Sequence, residues 1–190
     1  MSTQILKEHL NSELFNNLEH SVLHHYIASE NPEDHWHLLQ VKDETVLDLG
    51  CGYHLIEQGW MTTPEYFLSK GAKKIIGVDT NSEDIQQLLI SHPNHNFYKD
   101  SVNSVDKLNN YINNNNITSL KMDIEGDEKY FLDSQSNFDS LKYVAIETHN
   151  RTLLNQTIYK LINLQFKITT ICTFYPRVYD VCNLIYAHRS

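Results

Sequence analysis

Apolar residues recur at every fourth position through the first 29 residues: Leu6, Leu10, Leu14, Leu18, Val22 and Tyr26, with Ile5, Phe15, Leu23 and Ile27 widening the stripe. That period predicts one amphipathic helix. Ser2 or Thr3 would cap its start and Asn31-Pro32 would end it, because the residue before a proline leaves the helical region. From about Asp43 the rhythm changes to short β-rich runs alternating with helix-period stretches. Strands are predicted over residues 45–49, 74–79, 96–99, 119–123 and 143–148, and helices over 64–70, 83–90, 105–111, 127–132 and 153–164. Repeated strand–helix alternation demands right-handed crossovers and a mostly parallel sheet covered on both faces. A last pair of strands, 166–173 and 178–188, is separated by too short a gap for a crossover and must form an antiparallel hairpin. The fold class predicted is α/β: a doubly wound, seven-stranded sheet. A helical segment over residues 1–40, acting as a lid or sheet cover, would precede the domain at 41–190. The asparagine run 113–116 is expected to end a helix and turn the chain into the next strand.

Composition narrows the function. Of the 190 residues, 15 are basic and 24 acidic, a net charge of −9 with histidine neutral. Such a chain is not expected to grip nucleic acid or anionic lipid by bulk electrostatics. Three cysteines, Cys51, Cys172 and Cys182, are too scattered for a disulfide framework or a zinc cluster. No apolar run approaches the roughly 20 residues of a membrane span, and the first residues lack a signal-peptide core. A reducing, cytoplasmic setting is expected, with no membrane partner and a monomer or homodimer as the working state.

In an open parallel sheet, ligands bind beyond the carboxyl ends of the strands, where strand order reverses. The first strand of the predicted domain ends in Asp48-Leu49-Gly50-Cys51-Gly52, whose glycines allow a tight turn and a close backbone approach. The second ends in Gly77-Val78-Asp79, and an acid there is placed to accept from both hydroxyls of a ribose. An adenosine-type ligand across these two strands is the consequence. A dinucleotide fingerprint would need glycine where the chain has Leu55, and no Gly-Lys-Ser/Thr phosphate loop is present. Asp48 would repel a pyrophosphate but suits a cation such as the sulfonium and ammonium of S-adenosylmethionine.

These residues carry a resemblance. Asp48-Leu49-Gly50-Cys51-Gly52 and Gly77-Val78-Asp79 are similar to the two cofactor motifs of the Rossmann-like class I S-adenosylmethionine-dependent methyltransferases. Leu120-Lys121-Met122-Asp123-Ile124-Glu125-Gly126-Asp127-Glu128, with Ala145-Ile146-Glu147-Thr148-His149 after it, resembles the FkbM-type methyltransferases. The resemblance implies that Gly50, Cys51 and Gly52 lie against the methionine part of the cofactor, with Asp48 beneath its ammonium. It implies Asp79 on the ribose, Thr80 near the adenine, Asp100 accepting from the adenine amino group beside Ser101, and Met122 and Asp123 bordering the methyl-transfer site. Two departures are His54, where glycine is common, and a long interval to Asp79 that makes residues 53–63, with Trp60, an inserted loop.

Transfer to a hydroxyl usually requires removal of its proton. Asp123 with Glu125, and Glu147 with His149, each stand two residues apart at the ends of neighbouring strands, so each pair shares one side. They supply a general base, or equally a seat for a divalent cation such as Mg2+. His149 is favoured as the base because an unperturbed imidazole titrates near 6.5. The competing structural roles are helix capping for Asp123 and Glu125 and a helix start for His149. Histidines at 24–25 and 35/37 are expected on a solvated surface, and no residue is assigned as a metal ligand. The acceptor expected is a small molecule or sugar, methylated on oxygen. A cofactor-binding regulatory protein without turnover, or an enzyme using a nucleotide or NAD on the same scaffold, are the alternatives.

Overall fold

The structure is a computed structural model that describes residues 23–26, 32–52, 61–125, 127–133, 138–177 and 180–189. Its strands are β1 (Leu23–Tyr26), β2 (Thr45–Leu49), β3 (Lys74–Asp79), β4 (Asn96–Lys99), β5 (Ser119–Met122), β6 (Tyr143–Thr148), β7 (Lys167–Arg177) and β8 (Asp180–His188). The helices among these residues are α1 (Pro32–His35), α2 (Thr63–Ser69), α3 (Ser82–Ser91), α4 (Val105–Asn114), α5 (Lys129–Leu132) and α6 (Arg151–Asn163). The strands join in one sheet, ordered β1-β7-β8-β6-β5-β2-β3-β4. Strands β2 to β6 are mutually parallel, and β8 runs antiparallel to both β6 and β7. The doubly wound sheet with its closing antiparallel hairpin is thus as the alternation pattern requires.

One element departs from the pattern. The four-residue period predicts helix through Tyr26, yet Leu23–Tyr26 is a strand, parallel to β7 with Leu23 opposite Thr170. It is an eighth strand added to the seven expected. The reason is tertiary: β7 would otherwise end the sheet with a row of unpaired N–H and C=O groups, and pairing overrides a local helical period. Residues 1–22 of the expected helix lie outside the described residues, as does most of the inserted loop (53–60).

The strands alternate their side chains between two cores. Leu47, Leu49, Leu120, Met122, Val144 and Ile146 face one, with Leu108 and Ile112 of α4, Phe131 of α5, and Leu154, Ile158 and Leu161 of α6. Val46, Ile75, Ala145, Leu184 and Tyr186 face the other, with Trp36, Tyr66 and Phe67, and Ile85 and Leu88 of α3. Asp48, Lys121 and Glu147, by the same alternation, project toward the second face. That face is where α1 docks: the Tyr186 hydroxyl donates to the carbonyl of His35.

Helix starts are specified locally. At α2, the Thr62 hydroxyl accepts from the Glu65 amide at 3.2 Å while the Glu65 carboxylate accepts from the Thr62 amide at 2.8 Å. This reciprocal capping box satisfies two amides that lack helical partners. Thr62→Ala is expected to lower stability by about 1 kcal/mol, read as a reduced urea midpoint at unchanged slope. Asn81, Ser104 and Asn150 cap α3, α4 and α6 with side-chain oxygens that accept from first-turn amides. Asn115 and Asn116, the latter at φ 52, turn the chain out of α4, as the asparagine run predicts.

Candidate active site

From β2 the chain proceeds outward to β3 and β4, then returns with β5 on the opposite side of β2. Strand order therefore reverses between β2 and β5, and the crevice beyond their carboxyl ends is the expected ligand site. Gly50 and Asp123 meet there. The Gly50 amide donates to the Val78 carbonyl at 2.9 Å and the Asp123 amide to the Leu49 carbonyl at 3.1 Å, stitching the turn to both neighbouring strands. Gly50 has φ +76°, and a Cβ on it would stand 1.9 Å from the Asp123 carbonyl oxygen. Only glycine fits. Gly77 plays a related part in β3, where a Cβ would meet the Phe97 ring at 2.5 Å and Cys51 Sγ at 2.9 Å.

Under this turn lies a buried ion pair. Asp48 and Lys121 have side-chain exposures of 0% and 1%, with Lys121 Nζ 3.2 Å from Asp48 Oδ1. The same ammonium donates to the carbonyls of Leu49 at 3.1 Å and Gly50 at 2.5 Å, and lies 4.9 Å from the centre of the Trp36 ring. Burial raises the Asp48 pKa against the pull of Lys121. For Lys121, burial works downward but Asp48 and Asp123 outweigh it, and the ammonium is held above its ordinary range. Asp48, expected beneath a ligand ammonium, is paired here with Lys121. The Cys51 and Met122 side chains are also fully buried, Met122 in the opposite core, so these residues offer the crevice only backbone. Burial, with the charges of Asp48 and Asp79, holds the Cys51 thiol well above its usual range, which removes it as a nucleophile.

Asp79 and Thr80 end β3 at the rim. Asp79 Oδ1 accepts from the Asn81 amide at 2.8 Å, and among the described residues its second oxygen carries no hydrogen bond. Asp100 follows β4, with its amide on the Asp79 carbonyl at 3.0 Å. Its carboxylate accepts from Lys107 Nζ at 2.6 Å, the Ser101 amide at 2.8 Å and the Tyr111 hydroxyl at 3.0 Å. The Lys107 hydrogen bond is the main reason its pKa lies below the ordinary carboxylate range. Asp100 is therefore an anchored acceptor, with Oδ1 taking two of these hydrogen bonds and Oδ2 one.

The mouth of the crevice holds a carboxylate–imidazole cluster. His149 Nδ1 is 2.9 Å from Glu128 Oε1, and Nε2 lies 3.3 Å from Glu147 Oε1, 3.6 Å from Asp123 Oδ1 and 3.9 Å from Glu125 Oε2. Glu147 Oε2 in turn is 3.0 Å from His35 Nε2. Burial alone would lower the His149 pKa, but hydrogen bonds to Glu128 and Glu147 push it up to about 11. Glu147, despite burial, is held down at about 2 by His149 and His35. Asp123 is raised to about 7 by burial and by Glu147, against Lys121 and His149. Four carboxylates around the ring thus favour the protonated imidazole, which weighs against the general-base role expected from an unperturbed value. The capping alternatives fail too. Asn150 caps α6 and no side chain caps α5, while Glu125 is 88% exposed at φ 52.

Three cluster members escaped assignment from sequence. Glu128 and Lys121 stand inside the stretch 120–128, but nothing in a linear pattern shows which residues of it are buried. His35, expected on a solvated surface, is buried against Glu147, whereas His37 is exposed as expected. Cys182 closes the group: one donor atom each from Glu147, His149 and Cys182 lies within 4.8 Å of the others, as do those from Asp123, Glu125 and His149. Among the described residues, no helix is long and apolar enough to cross a membrane.

No family model matches the chain, and no curated protein matches its sequence. Solved structures do match its fold. An uncharacterized protein from Listeria monocytogenes serotype 4b superposes with a TM-score of 0.59 at 11% identity, over 85% of this chain and 68% of the other. M. capricolum TrmK, in complex with S-adenosylhomocysteine, gives 0.56 at 11% identity over 87% and 70%. An S-adenosylmethionine-dependent methyltransferase from Mesorhizobium loti gives 0.54 at 14% identity over 84% and 99%. What this chain shares with them is the fold, the Rossmann-like sheet of S-adenosylmethionine-dependent methyltransferases with its closing antiparallel hairpin.

Proposed function

We propose that this protein is an S-adenosylmethionine-dependent methyltransferase acting on a hydroxyl of a small molecule or sugar. The observation that carries the reading is the rim of the β2/β3/β5 crevice: the tight Gly50 turn, and Asp79 with one carboxylate oxygen uncommitted among the described residues. These residues fit the cofactor. Gly50 and Gly52 would present backbone to its methionine part, and Asp79 would accept from its ribose hydroxyls. The fold shared with a protein that holds S-adenosylhomocysteine supports the same assignment. When bound, S-adenosylmethionine supplies an electrophilic methyl group on a sulfonium sulfur.

The chain's part is to hold the acceptor and remove its proton. The Asp123 side chain is 32% exposed and follows β5 directly beside the Gly50 turn. Its carboxylate is the group placed to accept the acceptor's hydroxyl proton. Glu128 and Glu147 fix His149 behind it, so the imidazolium orients the neighbouring carboxylates. An acidic mouth, with Glu125 exposed, would repel a phosphate backbone, which favours a small neutral acceptor.

Calorimetric titration with S-adenosylhomocysteine, with NADH and a nucleotide-sugar as controls, tests the reading. Saturable binding of the homocysteine product alone, weakened by about tenfold or more in Asp79→Ala, is expected, since a hydrogen bond to a charged group is worth about 1.5–3 kcal/mol. No binding, or a preference for NADH, would overturn it.

A further inference from the structure

Glu147, His149 and Cys182 stand at the adjoining ends of β6 and β8, where Thr148 faces Asn183 across the pair. Glu147 Oε1 and His149 Nε2 are 3.3 Å apart. Two donors each about 2.0–2.1 Å from a tetrahedral ion stand about 3.3–3.4 Å apart, so this pair already has the spacing of adjacent ligands. The atoms turned away from that point are both held by buried partners. His149 Nδ1 meets Glu128 Oε1 at 2.9 Å, and Glu147 Oε2 meets His35 Nε2 at 3.0 Å. Carboxylate support behind a histidine is how metal-binding imidazoles are oriented.

Charge points the same way. Asp123, Glu125, Glu128 and Glu147 all lie within 4 Å of one imidazole, and Lys121 is committed to Asp48 and the turn carbonyls. Glu128 is fully buried, and its second oxygen has no hydrogen-bond partner among the described residues. One imidazolium offsets only part of this negative charge, and a dication at Nε2 offsets more of it.

We infer that Glu147, His149 and Cys182 form a binding site for a divalent ion of the zinc type. Imidazole and sulfur donors favour zinc-like ions over magnesium, which prefers an all-oxygen octahedron. Three protein ligands leave a fourth position, facing Asp123 and the exposed Glu125, as in open rather than structural zinc sites. The use of that position by an acceptor hydroxyl, made more acidic by the ion, rests on the methyl-transfer reading. Binding of the ion itself does not.

The test is titration of chelator-treated protein with Zn2+ by calorimetry and with Co2+ by absorption, alongside S-adenosylhomocysteine. One ion per chain is expected, lost in His149→Ala and weakened about 10–100-fold in Glu128→Gln. Cys182→Ser should keep weaker binding but lose the sulfur-to-cobalt charge-transfer band. Absence of saturable Zn2+ or Co2+ binding overturns the site, as does unchanged binding in His149→Ala or Mg2+ binding in place of Zn2+. Retained S-adenosylhomocysteine binding in each variant shows that the fold is intact. If the ion fails to bind while the homocysteine product binds, the metal site alone is lost; the reverse outcome removes the methyltransferase reading and leaves the site.

Discussion

Replacing Lys121 with methionine is expected to cost about 3–5 kcal/mol of stability, the loss found when one partner of a buried ion pair is removed. The size follows from what remains. Asp48, at 0% exposure, would keep a carboxylate with no cation beside it, the Gly50 carbonyl would lose the ammonium, and the Leu49 carbonyl would keep only the Asp123 amide. Methionine matches the length of the aliphatic stem, so packing against Trp36 changes little and the loss is electrostatic. The double variant Asp48→Asn, Lys121→Met separates the terms. Removing both charges should recover most of the stability, because a buried pair stabilises little over neutral residues of similar volume. It should not recover cofactor affinity in full, since the ammonium also ties the Gly50 turn to β5. Urea unfolding of the three proteins, with S-adenosylhomocysteine titrations on each, reads both effects. A Lys121→Met loss below about 1 kcal/mol, the scale of an exposed pair, would show that the pair does not hold the turn.

The same pair marks how far the sequence could be read. β2, β3, β4 and β6 match their predicted bounds; β2, β3 and β6 are short, mostly apolar runs between turn residues and are buried on both faces, whereas β4 is a half-exposed edge strand. The hairpin followed from a gap too short for a crossover. Gly50 and Asp79 were legible because backbone conformation and strand-end position constrain them directly. Asp48 marks the limit: its position at the strand end is linear information, but its partner, a lysine on the adjacent strand in register opposite it, is not. His149 shows the same limit. Its base role was taken from an isolated imidazole, whereas its ring also meets Glu128, 21 residues away in the chain and buried behind it. β1 was lost because a four-residue apolar period says nothing about an unpaired strand edge across the sheet. Local rules found the scaffold, and the pairings between its strands decided the chemistry.

Asp123→Asn is expected to lower turnover by about 10²–10⁴-fold, the usual contribution of a positioned proton acceptor, while S-adenosylhomocysteine affinity changes by no more than about threefold, or 0.7 kcal/mol. The separation is possible because the two jobs of this residue use different atoms. Its amide and carbonyl close the crevice, donating to Leu49 and abutting Gly50. Asparagine retains both. Only the carboxylate, one-third exposed, is changed. In the ion-free protein His149 is a poor substitute, because both ring nitrogens face carboxylates and the hydrogen bonds to Glu128 and Glu147 favour its protonated form. The loss should therefore fall on kcat with KM for the acceptor nearly unchanged, as for an interaction made only in the transition state. Single-turnover methyl transfer with a confirmed acceptor measures it. If Asp123→Asn kept near-full turnover while His149→Ala abolished it, the proton would leave by the imidazole after all, and the cationic state assigned to His149 would not be the one that reacts.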